Sequence, residues 1–237
     1  MNRISLRPWV RLQRGMSLVE LMVAMVLGLL FVIAVAYFFL GGRQVNRTHD
    51  DLSRIQENGR YALEYLGKAI RQAGARTDVS LPFPATALTG TDGTCAGASC
   101  DPDTITVRYD VQDGGETDCT GATVATGPVT YAFAVDPATR TLTCNGVAVA
   151  DNVENMQVSY GVDSLGNGDI TSYLTASAVA NFAQVAAVRV SLLVRGATPG
   201  IATNHQTYTY DGNVVTAADT FLRQVYASTF AVRNQAR

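Results

Sequence analysis

A single acidic residue, Glu20, lies at the start of a long apolar run. It is the fifth residue counted from Met16, and no charged residue occurs from Leu21 to Leu40. About 20 apolar residues are enough to span the hydrocarbon core of a membrane as a helix. Because a carboxylate inside such a segment is costly, the position of Glu20 predicts a functional residue that needs a specific partner.

Two simpler interpretations of this segment remain open. Ser17 and Glu20 form a capping-box pattern, in which Glu20 satisfies free amide groups at the start of a helix. The segment would alternatively be an ordinary secretory signal cleaved after Ala34-Val35-Ala36. Against the second interpretation, the apolar run is long for such a signal and contains Glu20.

Four cysteines follow the apolar run: Cys95, Cys100, Cys119 and Cys144. An even number in an exported region predicts two disulfides, for which four cysteines allow three connectivities. We predict Cys95–Cys100, because these residues enclose a tight loop, and Cys119–Cys144, because they flank a predicted hairpin. A zinc site would need two close pairs, and Cys119 and Cys144 are not close in sequence.

The segment from Asp163 to Asp169 combines carboxylate and amide oxygens with glycines, a composition that suits calcium. A calcium loop has acidic or amide residues at every second position and a distal Glu, and this segment lacks that register. We therefore predict no metal site. A polar turn between strands is the main interpretation, and Asp163, Asn167 and Asp169 form a weak calcium candidate.

The remaining residues do not predict an enzyme. The two histidines, His49 and His205, have no neighbouring pattern of metal ligands or of a catalytic triad. The chain contains no Gly-x-Ser-x-Gly, His-Glu-x-x-His or phosphate-binding glycine loop. We expect no catalytic residues and no cofactor.

Four regions would position these residues. We predict a leader over residues 1–15, a transmembrane half-helix over 16–42, an amphipathic half-helix over 43–75 and a β-rich globular domain over 76–237. The leader holds four of the 18 basic residues and none of the 20 acidic ones, so the positive-inside rule places it in the cytoplasm. The remainder is acidic, because its 14 basic residues are outnumbered by 20 acidic ones. We therefore expect no nucleic-acid binding.

Apolar residues at spacings of three and four from Val45 to Ala73 predict an amphipathic helix. The intervening polar positions include Asp50, Asp51 and Arg54. Together with the apolar run, this pattern predicts one nearly continuous helix from Ser17 to Ala75, with Gly28 and Gly41-Gly42 as its weak points.

The rest of the chain predicts a loop and then antiparallel strands. Residues 76–103 are rich in Pro, Gly, Thr and Ser and predict a long surface loop. Alternating apolar residues and turn signals predict strands or hairpins at 104–111, 129–135, 140–144, 147–150, 153–162, 187–195 and 206–216. The fold class is α+β, with the helix packed on an antiparallel sheet.

The sequence Arg14-Gly15-Met16-Ser17-Leu18-Val19-Glu20 resembles the class III signal of type IV pilins and pseudopilins. The resemblance implies that a prepilin peptidase cleaves after Gly15 and methylates the new amino terminus at Met16. Met16 stands where the family usually has Phe. The resemblance also implies that Glu20 pairs with the terminal amine of a neighbouring subunit during assembly.

Later segments resemble PilW-type minor pilins: Leu52–Leu63, Val153–Asp163, Val188–Arg195 and Phe230–Asn234. This resemblance implies a structural subunit of the tip or initiation complex that primes a type IV pilus. Its partners would be other minor pilins, the major pilin, the prepilin peptidase and the inner-membrane assembly platform. The chain would cross the bacterial inner membrane once and then join the pilus. The alternative is a J-type pseudopilin of a type II secretion system.

Overall fold

The computed structural model describes residues 15–76, 86–96, 99–111, 115–125, 127–202 and 204–234. The chain divides into two compact units, Met1–Asn46 and Arg47–Arg237. Helix α1 extends over Leu18–Gln72 and so contributes to both units. The predicted helix from Ser17 to Ala75 is therefore confirmed to within three residues at either end, and Gly28, Gly41 and Gly42 lie inside it.

From Leu21 to Leu40, the part of α1 in the first unit is apolar on all sides. Its large apolar side chains from Leu18 to Leu40 are exposed. By length and composition, this helix contains a segment that could cross a membrane.

The part of α1 in the second unit buries one stripe of residues at helical spacing: Asp51, Ile55, Gly59, Ala62, Leu66, Gly67, Ala69 and Ile70. Two details of the predicted stripe are wrong. Val45 is exposed, and Asp51, which was assigned to the polar positions, is 3% exposed. The buried stripe thus begins with a carboxylate, for which Thr198 provides the hydrogen-bond donors described below.

Fifteen strands lie in the described residues of the second unit. In chain order they are β1 Leu88–Thr91, β2 Cys95–Ala96, β3 Ser99–Cys100, β4 Thr104–Val111, β5 Glu116–Thr117, β6 Thr123–Val124, β7 Gly127–Asp136, β8 Thr141–Cys144, β9 Val147–Asp151, β10 Val153–Val162, β11 Ser172–Leu174, β12 Val185–Arg195, β13 Thr207–Tyr210, β14 Asn213–Thr216 and β15 Arg223–Ala231. Two short 3-10 helices, Ala176–Ala178 and Phe182–Gln184, precede β12.

The strands form two main antiparallel sheets. One has the order β1-β4-β7-β8-β9 and the other the order β11-β10-β12-β15. Three two-stranded ribbons, β2–β3, β5–β6 and β13–β14, complete the described strands. One core joins the stripe of α1 to buried residues of both sheets, including Phe133 and Leu192. This arrangement confirms the α+β fold.

Two glycines of α1 allow the helix to approach β15 closely. A Cβ atom on Gly59 would overlap the ring of Tyr226, and one on Gly67 would overlap the ring of Phe230. The rings therefore lie directly on the helix backbone. Any larger residue at either position would displace an aromatic ring or the helix.

The predicted strands from 104 to 195 and the hairpin within 206–216 are confirmed, with small shifts at their ends. The predicted loop over 76–103 is wrong in part. Strands β1, β2 and β3 lie within it, and residues 77–85 and 97–98 lie outside the described part of the chain. β1 was missed because its sequence, Leu-Thr-Gly-Thr, has one apolar residue. Leu88 is nevertheless fully buried and lies opposite Val107.

Candidate functional site

The predicted assembly residues lie at the start of α1. Gly15 and Met16 precede the helix and are exposed. The Oγ atom of Ser17 accepts a hydrogen bond from the backbone N–H of Glu20 at 3.2 Å, so Ser17 caps the helix. Glu20 lies in the first turn, where the helix dipole favours a negative charge.

The Glu20 side chain is exposed among apolar neighbours. Within the described residues, no ion pair involves it. Ser17 already provides the cap, so the carboxylate can bind a group outside this chain. The first turn thus combines a hydrophobic surface with one anionic group.

The Cys95–Cys100 disulfide closes the small ribbon formed by β2 and β3. Side chains of β10 fasten this ribbon to the sheet. Asn155 donates from Nδ2 to the carbonyl of Cys100 at 2.6 Å, and Gln157 donates from Nε2 to that of Asp101 at 2.8 Å. The disulfide ribbon is therefore held by both a covalent bond and hydrogen bonds to β10.

Asp103 is the second attachment of this ribbon. Its two carboxylate oxygens accept from the backbone N–H groups of Gly93 and Val158 at 2.8 and 2.7 Å. Burial raises the pKa of Asp103, although these two hydrogen bonds oppose the rise. The segment predicted as a long surface loop is thus also anchored at its C-terminal end by Asp103.

The Cys119–Cys144 disulfide joins the turn between β5 and β6 to the end of β8. Asp118 shapes this turn, because its Oδ1 accepts from the N–H groups of Thr120 and Ala122 at 2.8 and 3.2 Å. Cys144 is fully buried. Both cysteine pairs in the structure are thus the pairs predicted from the sequence.

Asp163, Asn167 and Asp169 lie together in the loop between β10 and β11. Both oxygens of Asp163 accept from backbone N–H groups, at 2.7 Å from Gly166 and 2.8 Å from Gly168. These hydrogen bonds lower the pKa of Asp163, and the bond from Gly168 has the largest effect. The carboxylate shapes the loop. No group of three His, Cys, Asp or Glu residues among the described ones is arranged to hold a metal.

Sequence reasoning missed the contact made by Asp51. Its oxygens accept from the backbone N–H and the hydroxyl of Thr198 at 3.1 and 3.0 Å. The contact joins the start of the buried stripe to the segment that follows β12. Its position could have indicated that Asp51 is buried, because Asp51 precedes Ile55 of the apolar stripe by one helical turn.

It also missed a partly buried ionic cluster formed by Glu154, Arg195, Asp219 and Arg223. The Arg223 guanidinium donates to both oxygens of Glu154 at 2.6 and 3.0 Å, and to both of Asp219 at 2.5 and 2.9 Å. Arg195 lies 3.3 Å from Glu154. Hydrogen bonds from Arg223 lower the pKa of Asp219 to about 2. Only Asp219 and Arg223 are close in sequence, four residues apart, whereas Glu154 and Arg195 come from β10 and β12.

A groove of about 400 Å³ lies beside α1 and the edge strand β9. Its walls include Glu57, Tyr61 and Glu64 from the helix and Ala148 and Asp151 from the strand. Asn58 bridges the two elements by donating to the carbonyl of Asp151 at 2.9 Å. The groove carries charges of both signs and no recognisable set of catalytic groups.

Comparisons with known proteins match two family models to parts of the chain. The family model for the prokaryotic N-terminal methylation motif matches residues 10–36. The model for type IV pilus-assembly protein W matches residues 121–234. Among solved structures, the chain is similar to a type IV-like pilin from Thermus thermophilus, with 15% identity, a TM-score of 0.48, and coverage of 80% of this chain and 97% of that chain. No curated protein matches.

The methylation motif, the long N-terminal helix and the antiparallel sheets define a type IV pilin-like protein. Within that class, the match over residues 121–234, slightly less than half of the chain, supports a PilW-type pilin. Its family and fold are those of structural pilin proteins. The family suggests assembly with other pilins and processing by a prepilin peptidase. The apolar helix and the signal fit a membrane anchor that carries a soluble C-terminal domain.

Proposed function

We propose that the chain is a minor pilin of a type IV pilus, a structural subunit of the tip or initiation complex that primes pilus assembly. In this mechanism a prepilin peptidase cleaves the bond between Gly15 and Met16 and methylates the new amino terminus. The globular domain then contacts other minor pilins and the major pilin. The mechanism is structural and not catalytic: a helix moves from the lipid into a bundle of helices.

The observation that carries the proposal is the exposed Glu20 in the first turn of an apolar helix. A carboxylate transferred from the membrane surface into a bundle of low dielectric is strongly disfavoured unless a cation pairs with it. The terminal amine of Met16 in a neighbouring subunit supplies such a cation. Glu20 thereby selects the depth at which a subunit enters the bundle.

Glu20→Gln is the direct test, because it keeps the size of the side chain and removes its charge. In a strain without the chromosomal gene, the wild-type chain restores pili. The variant inserts into the membrane and is cleaved normally, but is depleted from sheared filaments. The measurements are the amount of protein in membranes and in the sheared fraction, and mass spectrometry of the amino terminus.

Glu20→Asp is the matched control, since it keeps the charge on a shorter side chain and should retain part of the incorporation. Normal piliation together with wild-type recovery of Glu20→Gln in sheared pili would contradict the role of the charge. Loss of protein secretion with unchanged pili in the deletion strain would assign the chain to a type II secretion system as a J-type pseudopilin.

A further inference from the structure

Strand β15 is a long edge of the four-stranded sheet. It spans nine residues and pairs on one side with β12, without a register shift. The other side of β15 has no hydrogen-bonded neighbour in the order of this sheet, although β13 lies near it. Such an edge presents unpaired N–H and C=O groups and is a template for another strand.

Two contacts identify which residues of β15 point outward. At one end, the side-chain amide of Gln206 accepts from the N–H of Arg223 and donates to its carbonyl, both at 2.7 Å. At the other end, the N–H of Val232 donates to Ala186, which precedes the paired part of β12. Since bonding alternates along an antiparallel strand, Val225, Ala227, Thr229 and Ala231 direct their N–H and C=O groups outward.

Gln206 occupies the outward groups of Arg223 as a strand would, but its amide covers one residue only. In the described part of the chain, no other hydrogen bond reaches the outward backbone groups from Val225 to Ala231. Ala227, Thr229 and Ala231 are exposed. The open part of the edge is thus four outward residues long, about 20 Å.

The usual protection of a sheet edge is missing here. Natural proteins protect edges with charged residues, proline, bulges or short strands, and Gln224–Ala231 contains no charge and no proline. By contrast, β1 has four residues and β11 has three. β9 contains a register irregularity, and Asn58 binds the carbonyl of its last residue.

The direction of β15 argues against a second copy as the partner. The rings of Tyr226 and Phe230 lie on Gly59 and Gly67, and the helix and the strand advance by about 12 and 13 Å between these contacts. β15 therefore runs beside α1 in the same direction. Antiparallel pairing of two β15 strands would be an isologous contact that closes on a dimer, whereas the proposed pilin role requires head-to-tail contacts that continue along a filament.

We propose that β15 is a docking edge to which an extended, uncharged segment of a different pilin-like subunit adds as a further strand. This inference rests on the proposed pilin role, which supplies the partner. The occupant must be a peptide backbone, because what the edge offers is alternating amide donors and carbonyl acceptors. Small side chains at Ala227, Thr229 and Ala231 leave room for its side chains on the outer face.

Site-specific photocrosslinking in cells tests the pairing. A benzoylphenylalanine is introduced in turn at 225, 227, 229 and 231 of the full-length chain, with Val214, which is exposed on another ribbon, as the control position. We expect adducts with one pilin-like subunit from the β15 positions and none from 214. Mass spectrometry should show that each step of two residues along β15 moves the adduct by two residues in the partner.

Ala227→Pro provides the second measurement, read with the probe at 229. Proline removes the outward N–H of Ala227 without removing a bond to β12, and edge strands tolerate it. Losing one such bond should lower the adduct yield about fivefold, whereas Ala227→Val, which keeps the N–H, should not. Equal amounts of both variants in membranes, with intact disulfides, exclude a folding defect as the cause.

The outcomes separate this inference from the proposed function. If the chain is recovered in sheared filaments but the adducts do not move along the partner in steps of two residues, the docking edge alone would be overturned. Adducts that join β15 to β15 of another copy would overturn the choice of partner. A register on a protein that is not pilin-like would overturn both proposals, and an unchanged yield from Ala227→Pro would refute strand addition.

Discussion

Asp51 lies on the buried stripe of α1, where an apolar residue would ordinarily be found. Its carboxylate is 3% exposed and accepts two hydrogen bonds from Thr198. Buried polar groups persist in native structures when they are satisfied in this way. The pair ties the helix to a segment 147 residues away in sequence.

We predict that Asp51→Ala destabilises the globular domain by about 1–3 kcal/mol, because it leaves the partly buried N–H and hydroxyl of Thr198 without their acceptor. Asp51→Asn should cost less, since it keeps one oxygen for the N–H of Thr198. The free energy of unfolding in denaturant, measured for the full-length protein in detergent, gives both values.

Asp50→Ala is the control for this prediction. Asp50 is the preceding residue of the same helix and is exposed, so removing it should change the stability by about 0.5 kcal/mol or less. Equal losses for Asp50→Ala and Asp51→Ala would mean that the contact with Thr198 contributes nothing specific.

At the scale of single residues, the sequence predicted functions that depend on local context. Glu20 stands out because its neighbours are apolar, and the cysteines because their spacing restricts their pairing. Glu154 and Arg195 carry no such signal. Their partners are brought together only when β10, β12 and β15 are placed side by side, and a single sequence does not encode that placement in local spacing.

Among the elements, the two disulfides close loops of very different length. Cys95 and Cys100 are five residues apart, whereas Cys119 and Cys144 are 25 apart. A cross-link stabilises mainly by restricting the unfolded chain, and a longer loop restricts it more.

We expect Cys119→Ala with Cys144→Ala to lower the stability by about 3 kcal/mol, and Cys95→Ala with Cys100→Ala by about 2 kcal/mol. Unfolding of both double variants in denaturant measures the difference, with the wild type under oxidising conditions as the reference. A larger loss from the short loop would indicate that the hydrogen bonds from Asn155 and Gln157 depend on the Cys95–Cys100 bond.

The elements that were predicted correctly have strong periodicity. β4, β10 and β12 alternate apolar residues over eight to eleven positions. β15 was missed because small and polar residues occupy both of its faces, and only Tyr226 and Phe230 pack on the helix. The property that hid this strand, a low contrast between its faces, also leaves its edge uncharged and open.

At the scale of the whole molecule, the ionic cluster lies at one end of the four-stranded sheet, where β10 begins and β12 ends, and joins it to the loop before β15. Arg223 is 8% exposed, while the side chain of Asp219 is 39% exposed. The cluster therefore couples the stability of the sheet to pH through a carboxylate that solvent can reach.

We predict that this cluster makes the domain sensitive to acid. The pKa of Asp219 is about 2 in the folded chain, below the value of about 3.9 for an unfolded Asp. Between these values the unfolded chain binds more protons, so stability rises with pH there. The contribution is complete above about pH 5 and disappears as the pH falls through about 2.

Denaturant unfolding from pH 2 to pH 7 measures this effect. As the pH falls, Asp219→Asn should lose less stability than the wild type, and the two curves of stability against pH should converge at low pH. Because Asp219 is more than one third exposed, salt should reduce the difference. Parallel curves over the whole range would show that the bonds between Arg223 and Asp219 do not contribute to folding stability, and that Glu154 alone neutralises the buried arginines.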